Sequence, residues 1–247
     1  MYKISVIALC LTLFIGSCKK KTDTATPQQT SAPAIYSKIY GASDIYVQDN
    51  FVVITSNGLP DHKSPYYQGT QWSSTMYEAY DGTNPAWSQN PNKIASFSYT
   101  FKIPLNPAVA STHSATPLGA IGIALNGVPF YNQYAGPGQP LTTEINSFDE
   151  YNGHPQQQGA YHYHVEPLYL TANKGSNALI GFLLDGFPVY GPVENGVTIT
   201  DSDLDTYHGH TTATADYPNG IYHYHVTSAD PYINGSGFYG TAGTVSQ

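Results

Sequence analysis

Arginine is absent from the chain, and its two cysteines, Cys10 and Cys18, both stand near the N-terminus. Without arginine there is no planar fork to grip a phosphate or a guanine edge from two sides. Lysine does not replace it: from Ile35 onward 16 Asp and Glu stand against 5 Lys, a balance of −11. Such a surface repels a phosphate backbone, which excludes nucleic acid as a partner. Beyond Cys18 there is no thiol, so that part of the chain makes no disulfide, iron–sulfur cluster, cysteine zinc site or cysteine nucleophile. Any metal there must be held by nitrogen and oxygen. Also missing are a Gly-x-Ser-x-Gly elbow, a Gly-rich phosphate loop and any 3.6-residue apolar period sustained over three turns.

What is present begins with a targeting pattern: Lys3, an apolar run from Ile4 to Ile15, then Gly16-Ser17-Cys18. The run is too short for a membrane-spanning helix, which needs roughly 20 residues. Ile15-Gly16-Ser17-Cys18 resembles the lipobox of bacterial lipoproteins, so residues 1–17 are expected to be a signal peptide and Cys18 the lipidated first residue of the mature chain. An ordinary secretory signal with an incidental cysteine is the alternative. Residues 18–34, rich in Lys, Thr, Pro, Gln and Ser, read as a disordered tether, with Lys19, Lys20 and Lys21 placed to touch anionic headgroups. The expected address is the bacterial cell envelope, with the membrane reached through the lipid.

Residues 35–247 suit one domain. Short β-branched and aromatic runs, such as Phe51 to Thr55, Ile94 to Ile103, Gly119 to Leu125 and Leu179 to Leu184, alternate with turn signals. They predict an all-β fold, an antiparallel sandwich or barrel with little helix. Asn126-Gly127 and Asp185-Gly186 are expected to form type I′ hairpin turns.

Those turns open a larger repeat. Gly122 to Tyr131 answers to Gly181 to Tyr190, Phe148 to His154 to Leu204 to His210, and Gly159 to Val165 to Gly220 to Val226, at offsets of 59, 56 and 61 residues. Three blocks in one order imply a tandem duplication, about 119–170 and 178–230, with halves expected to be related by a pseudo-twofold axis. The last block is Tyr161-His162-Tyr163-His164-Val165, repeated as Tyr222-His223-Tyr224-His225-Val226.

Residues two apart on a strand share a face about 6.6 Å apart, so each copy offers two imidazoles on one side and two such strands could surround one ion. Neutral imidazole is the commonest transition-metal ligand. The expected ligands are His162, His164, His223 and His225, for copper or zinc, with the loop residues His154 and His210 as further ligands or supporting groups. Six or more histidines exceed one tetrahedral sphere, so either two sites exist or some histidines do acid–base work. Asp149 and Asp205 are placed either to accept the outer N–H of an imidazole or to cap turns. His113 and His208 have no counterpart in the repeat. Asp201-Ser202-Asp203-Leu204-Asp205 imitates a calcium loop, but Thr206 and Thr212 stand where Gly and Glu are needed. Hydrolysis at metal-bound water, copper redox chemistry beside a tyrosine, and metal storage without turnover all stay open. So does a metal-free surface module for carbohydrate, small-molecule or protein ligands, with structural histidines and its many tyrosines as platforms.

Together with Asn57-Gly58-Leu59-Pro60-Asp61-His62 and Asp185-Gly186-Phe187-Pro188-Val189-Tyr190-Gly191-Pro192, the two Tyr-His-Tyr-His copies resemble the YHYH domain family of secreted proteins, over roughly Phe51 to Gly240. The resemblance implies that His62 belongs with the site. In that family a cysteine often precedes the Gly-His element; here Tyr151 and Tyr207 lie in those segments, and no disulfide role carries over.

Overall fold

The computed structural model describes residues 1–2 and 29–247. The apolar run, Cys18 and most of the expected tether lie outside the described residues. Inside the stretch read as tether, β1 (Thr30–Ser31) pairs antiparallel with β2 (Ala42–Gln48).

Five strands make the first sheet. β3 (Phe51–Ser56) and β4 (Tyr99–Pro104) follow β2, and β17 (Thr244–Ser246) closes the order β1-β2-β3-β4-β17, antiparallel throughout. Two short ribbons, β7 (Tyr134–Ala135) with β8 (Gln139–Pro140) and β13 (Val193–Glu194) with β14 (Val197–Thr198), stand apart from it. The second sheet has eight strands. In the first repeat they are β5 (Ala120–Ala124), β6 (Pro129–Tyr131), β9 (Gly153–Pro155) and β10 (Tyr161–Tyr163). In the second they are β11 (Leu179–Leu183), β12 (Pro188–Tyr190), β15 (Gly209–Thr212) and β16 (Ile221–His225). The order is β15-β16-β12-β11-β5-β6-β10-β9, which places equivalent strands of the two repeats at equal distances from the centre. There β11 pairs antiparallel with β5, Phe182 opposite Ile123. Those two residues are equivalents in the repeat, so the register is compatible with the expected twofold relation.

The fold is all-β and sandwich-like, with one apolar cluster running from Val52, Ile54, Phe101 and Ile103 of the first sheet to Ile121, Ile123, Phe182 and Val189 of the second. All five residues of β11 are buried, as expected of a central strand covered on both faces. Helix is confined to α1 (Ser73–Met76), α2 (Leu168–Lys174) and short 3₁₀ segments of three to five residues among the described residues.

Two details differ from expectation. The second sheet is mixed: β10 runs parallel to β6, and β16 to β12. A parallel neighbour needs a long crossover, and residues 132–160 supply it in the first repeat. The hairpin turns are not type I′ either. Gly127 and Gly186 take positive φ (83° and 86°), whereas Asn126 and Asp185 do not. Gly127 N–H donates to Ala124 O at 2.9 Å while Ala124 N–H donates to Val128 O at 2.8 Å, a three-residue loop closed by a bulged glycine.

Candidate metal centres

Strand alternation sorts each Tyr-His-Tyr-His copy into a tyrosine face and a histidine face. On the tyrosine face, Tyr161 OH donates to Asp149 Oδ2 at 2.7 Å and Tyr222 OH to Asp205 Oδ1 at 2.9 Å. The second tyrosines reach the hairpin turns: Asn126 Nδ2 donates to Tyr163 OH at 3.0 Å, and Tyr224 OH to Asp185 Oδ2 at 2.5 Å. Asp149 and Asp205 also accept from the N–H groups of their own turns, Tyr151 and Gly153 in one and Tyr207 and Gly209 in the other. They hold turns and tyrosines; their hydrogen bonds do not run to the imidazoles.

On the histidine face, register assembles the group. His154 lies across from His162 in the β9–β10 pair, and His210 across from His223 in the β15–β16 pair. The Gly-His residues expected in loops are strand residues, and this is what turns them toward the Tyr-His-Tyr-His histidines. Glu144 and Glu194 complete two separate groups: Glu144, His154, His162 and His164, and Glu194, His210, His223 and His225, each with one ligand atom per residue within 4.8 Å of all the others. The two His-x-His strands therefore do not share one ion, since β12, β11, β5 and β6 lie between them.

The first group is tight. His162 Nε2 stands 3.1 Å from His154 Nε2 and 2.9 Å from His164 Nε2, and Glu144 Oε1 is 3.1 Å from His154 Nε2. The outer nitrogens decide where the protons are. His162 Nδ1 faces Ala160 O at 3.0 Å and His164 Nδ1 faces Asn132 O at 2.5 Å. A carbonyl oxygen only accepts, so both Nδ1 atoms carry hydrogen. His154 Nδ1 lies 2.8 Å from Ser147 Oγ and 3.3 Å from Asn90 Nδ2, an amide donor, while its Nε2 faces the accepting Glu144 Oε1. In the neutral rings the Nε2 atoms of His162 and His164 are then bare lone pairs 2.9 Å apart, packed beside His154 Nε2 and a carboxylate oxygen. Acceptors packed this way repel unless a cation sits among them. Four ligands 2.0–2.1 Å from a tetrahedral ion would stand about 3.3 Å apart, close to the spacings found.

The second group repeats the logic more loosely. His223 Nδ1 donates to Ile221 O at 3.0 Å and His225 Nδ1 to Gly191 O at 2.8 Å, leaving their Nε2 atoms 3.1 Å apart. His210 Nε2 is shut off from solvent, makes no hydrogen bond to the described residues, and lies 3.4 Å from Glu194 Oε2.

Burial sets the electrostatics. It pushes His162 well below the ordinary imidazole range, helped by the neighbouring His154 and His164. It takes His164 and His225 down to about 4 against the upward pull of their carbonyl bonds, and lowers His223. Glu144 is held low by its hydrogen bond to His154, against burial. Burial would raise Glu194, but the Thr212 hydroxyl and three imidazoles outweigh it and the net shift is downward. Neutral imidazoles beside an ionised carboxylate are the protonation states in which a metal is bound.

Each group opens to solvent. His162, His164 and Glu144 line a cleft of about 290 Å³, and His154 and Glu144 one of about 620 Å³. Glu194, His223 and His225 line one of about 200 Å³.

A family model described as YHYH protein matches residues 100–199 and 193–237. The chain belongs to the YHYH family. No curated protein and no solved structure matches it. The matched stretch takes in both groups of the YHYH domain but not β2, β3 or His62, so it is shorter than the Phe51 to Gly240 span suggested by resemblance.

His62 is where the resemblance misleads. It is buried against the tyrosine face of β10, with Nε2 3.1 Å from Tyr163 OH and Nδ1 on Lys63 O, and it is in neither group. His113 bonds Phe238 O and stacks on Tyr207, and His208 bonds Thr227; neither joins a group.

Glu144 and Glu194 are the residues that sequence reasoning missed. Their offset of 50 residues matches none of the three blocks, so they come from non-equivalent positions of the YHYH repeat. A faint signal exists: Glu144 is the only acid between Tyr131 and Phe148, and Glu194 the only one between Tyr190 and Thr200.

Proposed function

We propose that this protein is a cell-envelope lipoprotein, anchored through Cys18, whose YHYH domain binds a divalent transition metal, copper or zinc, at each of its two three-histidine, one-glutamate groups. The carrying observation is the convergence of three Nε2 atoms and a carboxylate oxygen, with the Nδ1 atoms of His162 and His164 committed as donors to backbone carbonyls. Non-equivalent glutamates in equivalent roles support the same reading, because duplication copied the histidines but each carboxylate was acquired separately. The nitrogen and oxygen donor set suits zinc or copper rather than calcium or magnesium. When bound, the ion would supply Lewis acidity, or redox chemistry if copper. The chain's own part is to fix tautomers through Ala160, Asn132, Ile221 and Gly191, to hold four ligands within reach, and to leave a glutamate at each cleft.

The test is metal content. The full chain, extracted in detergent without a metal-affinity column, is loaded with zinc or copper, desalted and analysed for metal. About two ions per chain is expected; fewer than about 0.2 would sink the proposal and favour a metal-free module with structural histidines.

A further inference from the structure

The two clefts of the first group share Gly136, Glu144, Gln156 and Gln157, so they form one groove that passes over Glu144 with the histidines at its floor. Its walls are chemically uniform. Apart from Glu144 and the three histidines, no charged side chain of the described residues lines it, although the domain carries 16 acids and 5 lysines. Neutral amides take their place: Gln156, Gln157 and Gln158, with Asn146, Gln89 and Asn92, of which Gln89 also donates to Pro65 O and Asn92 to Pro155 O. The three consecutive glutamines sit in the β9–β10 turn, whose shape is held by backbone bonds between Gln156 and Ala160 and between Gly159 and Gln156. Their side chains make no hydrogen bond to the described residues, so six donor hydrogens and three carbonyl oxygens face solvent at the groove's edge.

We infer that this groove binds a neutral glycan chain laid across the first metal group. An amide offers a donor and an acceptor side by side, which matches adjacent sugar hydroxyls and asks for no counter-charge. An acidic polymer would meet no lysine there and would face Glu144. A peptide adding to the sheet would need the free edge of β9, but Pro155 has no N–H and its carbonyl already accepts from Asn90 and Asn92 at 3.2 and 3.1 Å. Tyr134 adds an aromatic wall to the smaller arm. The second group differs: its cleft joins, through Asn177, Tyr190 and Ala215, a cleft of about 540 Å³ that holds Lys38, Lys174 and Asp216. The glycan would therefore belong to the first group alone. The inference rests on the metal reading only in placing the chain over a bound ion.

The test is calorimetric titration of the detergent-extracted full chain with linear neutral hexasaccharides of β-glucan, β-xylan, β-mannan and α-glucan, with an oligogalacturonate and an alanine-rich hexapeptide as contrasts. At least one neutral hexasaccharide should bind saturably, and the contrasts should not. A Gln156→Ala/Gln157→Ala variant should lose at least tenfold in affinity with unchanged metal content, whereas Lys174→Ala should bind as before. Chelation should change glycan affinity less than tenfold. Wild-type protein that takes up metal yet binds no neutral hexasaccharide overturns the glycan inference alone; glycan binding without metal uptake overturns the metal reading alone. Equal affinity in the glutamine variant, or binding of the peptide only, also overturns the inference.

Discussion

The phenol of Tyr161 crosses directly over Gly153 to reach the carboxylate of Asp149. A β-carbon built on Gly153 would meet that ring at 2.3 Å, and one on Gly209 would meet the ring of Tyr222 at 2.5 Å. The glycine before each Gly-His histidine is therefore set by what lies over it, Tyr161 at Gly153 and both Tyr222 and the carbonyl oxygen of His223 at Gly209, not by backbone conformation. Gly153→Ala should destabilise the domain by about 1–3 kcal/mol through overpacking, lowering Tm by several degrees. It should also push β9 away from β10 and weaken metal binding at the first group. Gly209→Ala should do the same at the second. Calorimetry with metal titration reads both, and a glycine variant with wild-type affinity at its own group would refute this coupling.

Capacity should fall in whole steps. His162→Ala/His164→Ala is expected to reduce bound metal from about two ions per chain to about one, as is His223→Ala/His225→Ala, because the groups share no ligand. A single ion shared by both strands would instead be lost in either variant. Elemental analysis after desalting distinguishes the two.

Acid should act on the metal-free protein through the buried imidazoles. His164, His208 and His225 titrate at about 4 in the folded chain, with burial the leading cause, against about 6.5 when unfolded. Between those values the unfolded chain binds more protons, so stability falls as pH drops from about 6.5 to 4 and is flat just above it. Protons compete with metal for the same Nε2 atoms, so the rise in Tm on metal loading should be largest near neutrality and vanish toward pH 4. Thermal scans with and without chelator across this range check both signs.

Glu150 should respond in the opposite sense. Burial, then the charges of Asp149, Asp81 and Glu78, push its carboxyl up to about 8, and among the described residues neither oxygen has a hydrogen-bond partner. The folded state thus holds a proton that the unfolded state releases near 4.5, and stability declines as pH rises between these values. Glu150→Gln removes that decline. Its Tm should match wild type near pH 4.5 and exceed it increasingly toward pH 8.5; a constant difference would count against the assignment.

Much of this was legible in the amino-acid order, and the exceptions have physical reasons. Period-two alternation announced the histidine faces of β10 and β16, and three ordered blocks announced the repeat. The strand position of His154 and His210 was hidden by the preceding glycine, which looks like a loop signal but is a clearance for Tyr161 and Tyr222. Asn126 and Asp185 looked like turn formers; in the fold their side chains are also the partners of Tyr163 and Tyr224. Glu144 and Glu194 could not be aligned, because loops of different length carry them to the same kind of place. Of the two arrangements left open, one ion shared by both strands or two sites, the fold gives two separate groups, because each His-x-His strand pairs with its own repeat's hairpin rather than with its twin.

That strand order has an electrostatic consequence. β10 and β16 are five strand spacings apart, about 24 Å at the usual 4.7–4.9 Å per strand. Two divalent charges at that distance lie beyond two Debye lengths at physiological ionic strength, so neither ion would feel the other. Filling one half would not raise or lower the affinity of its twin, and mutations in either half could drift without mutual correction.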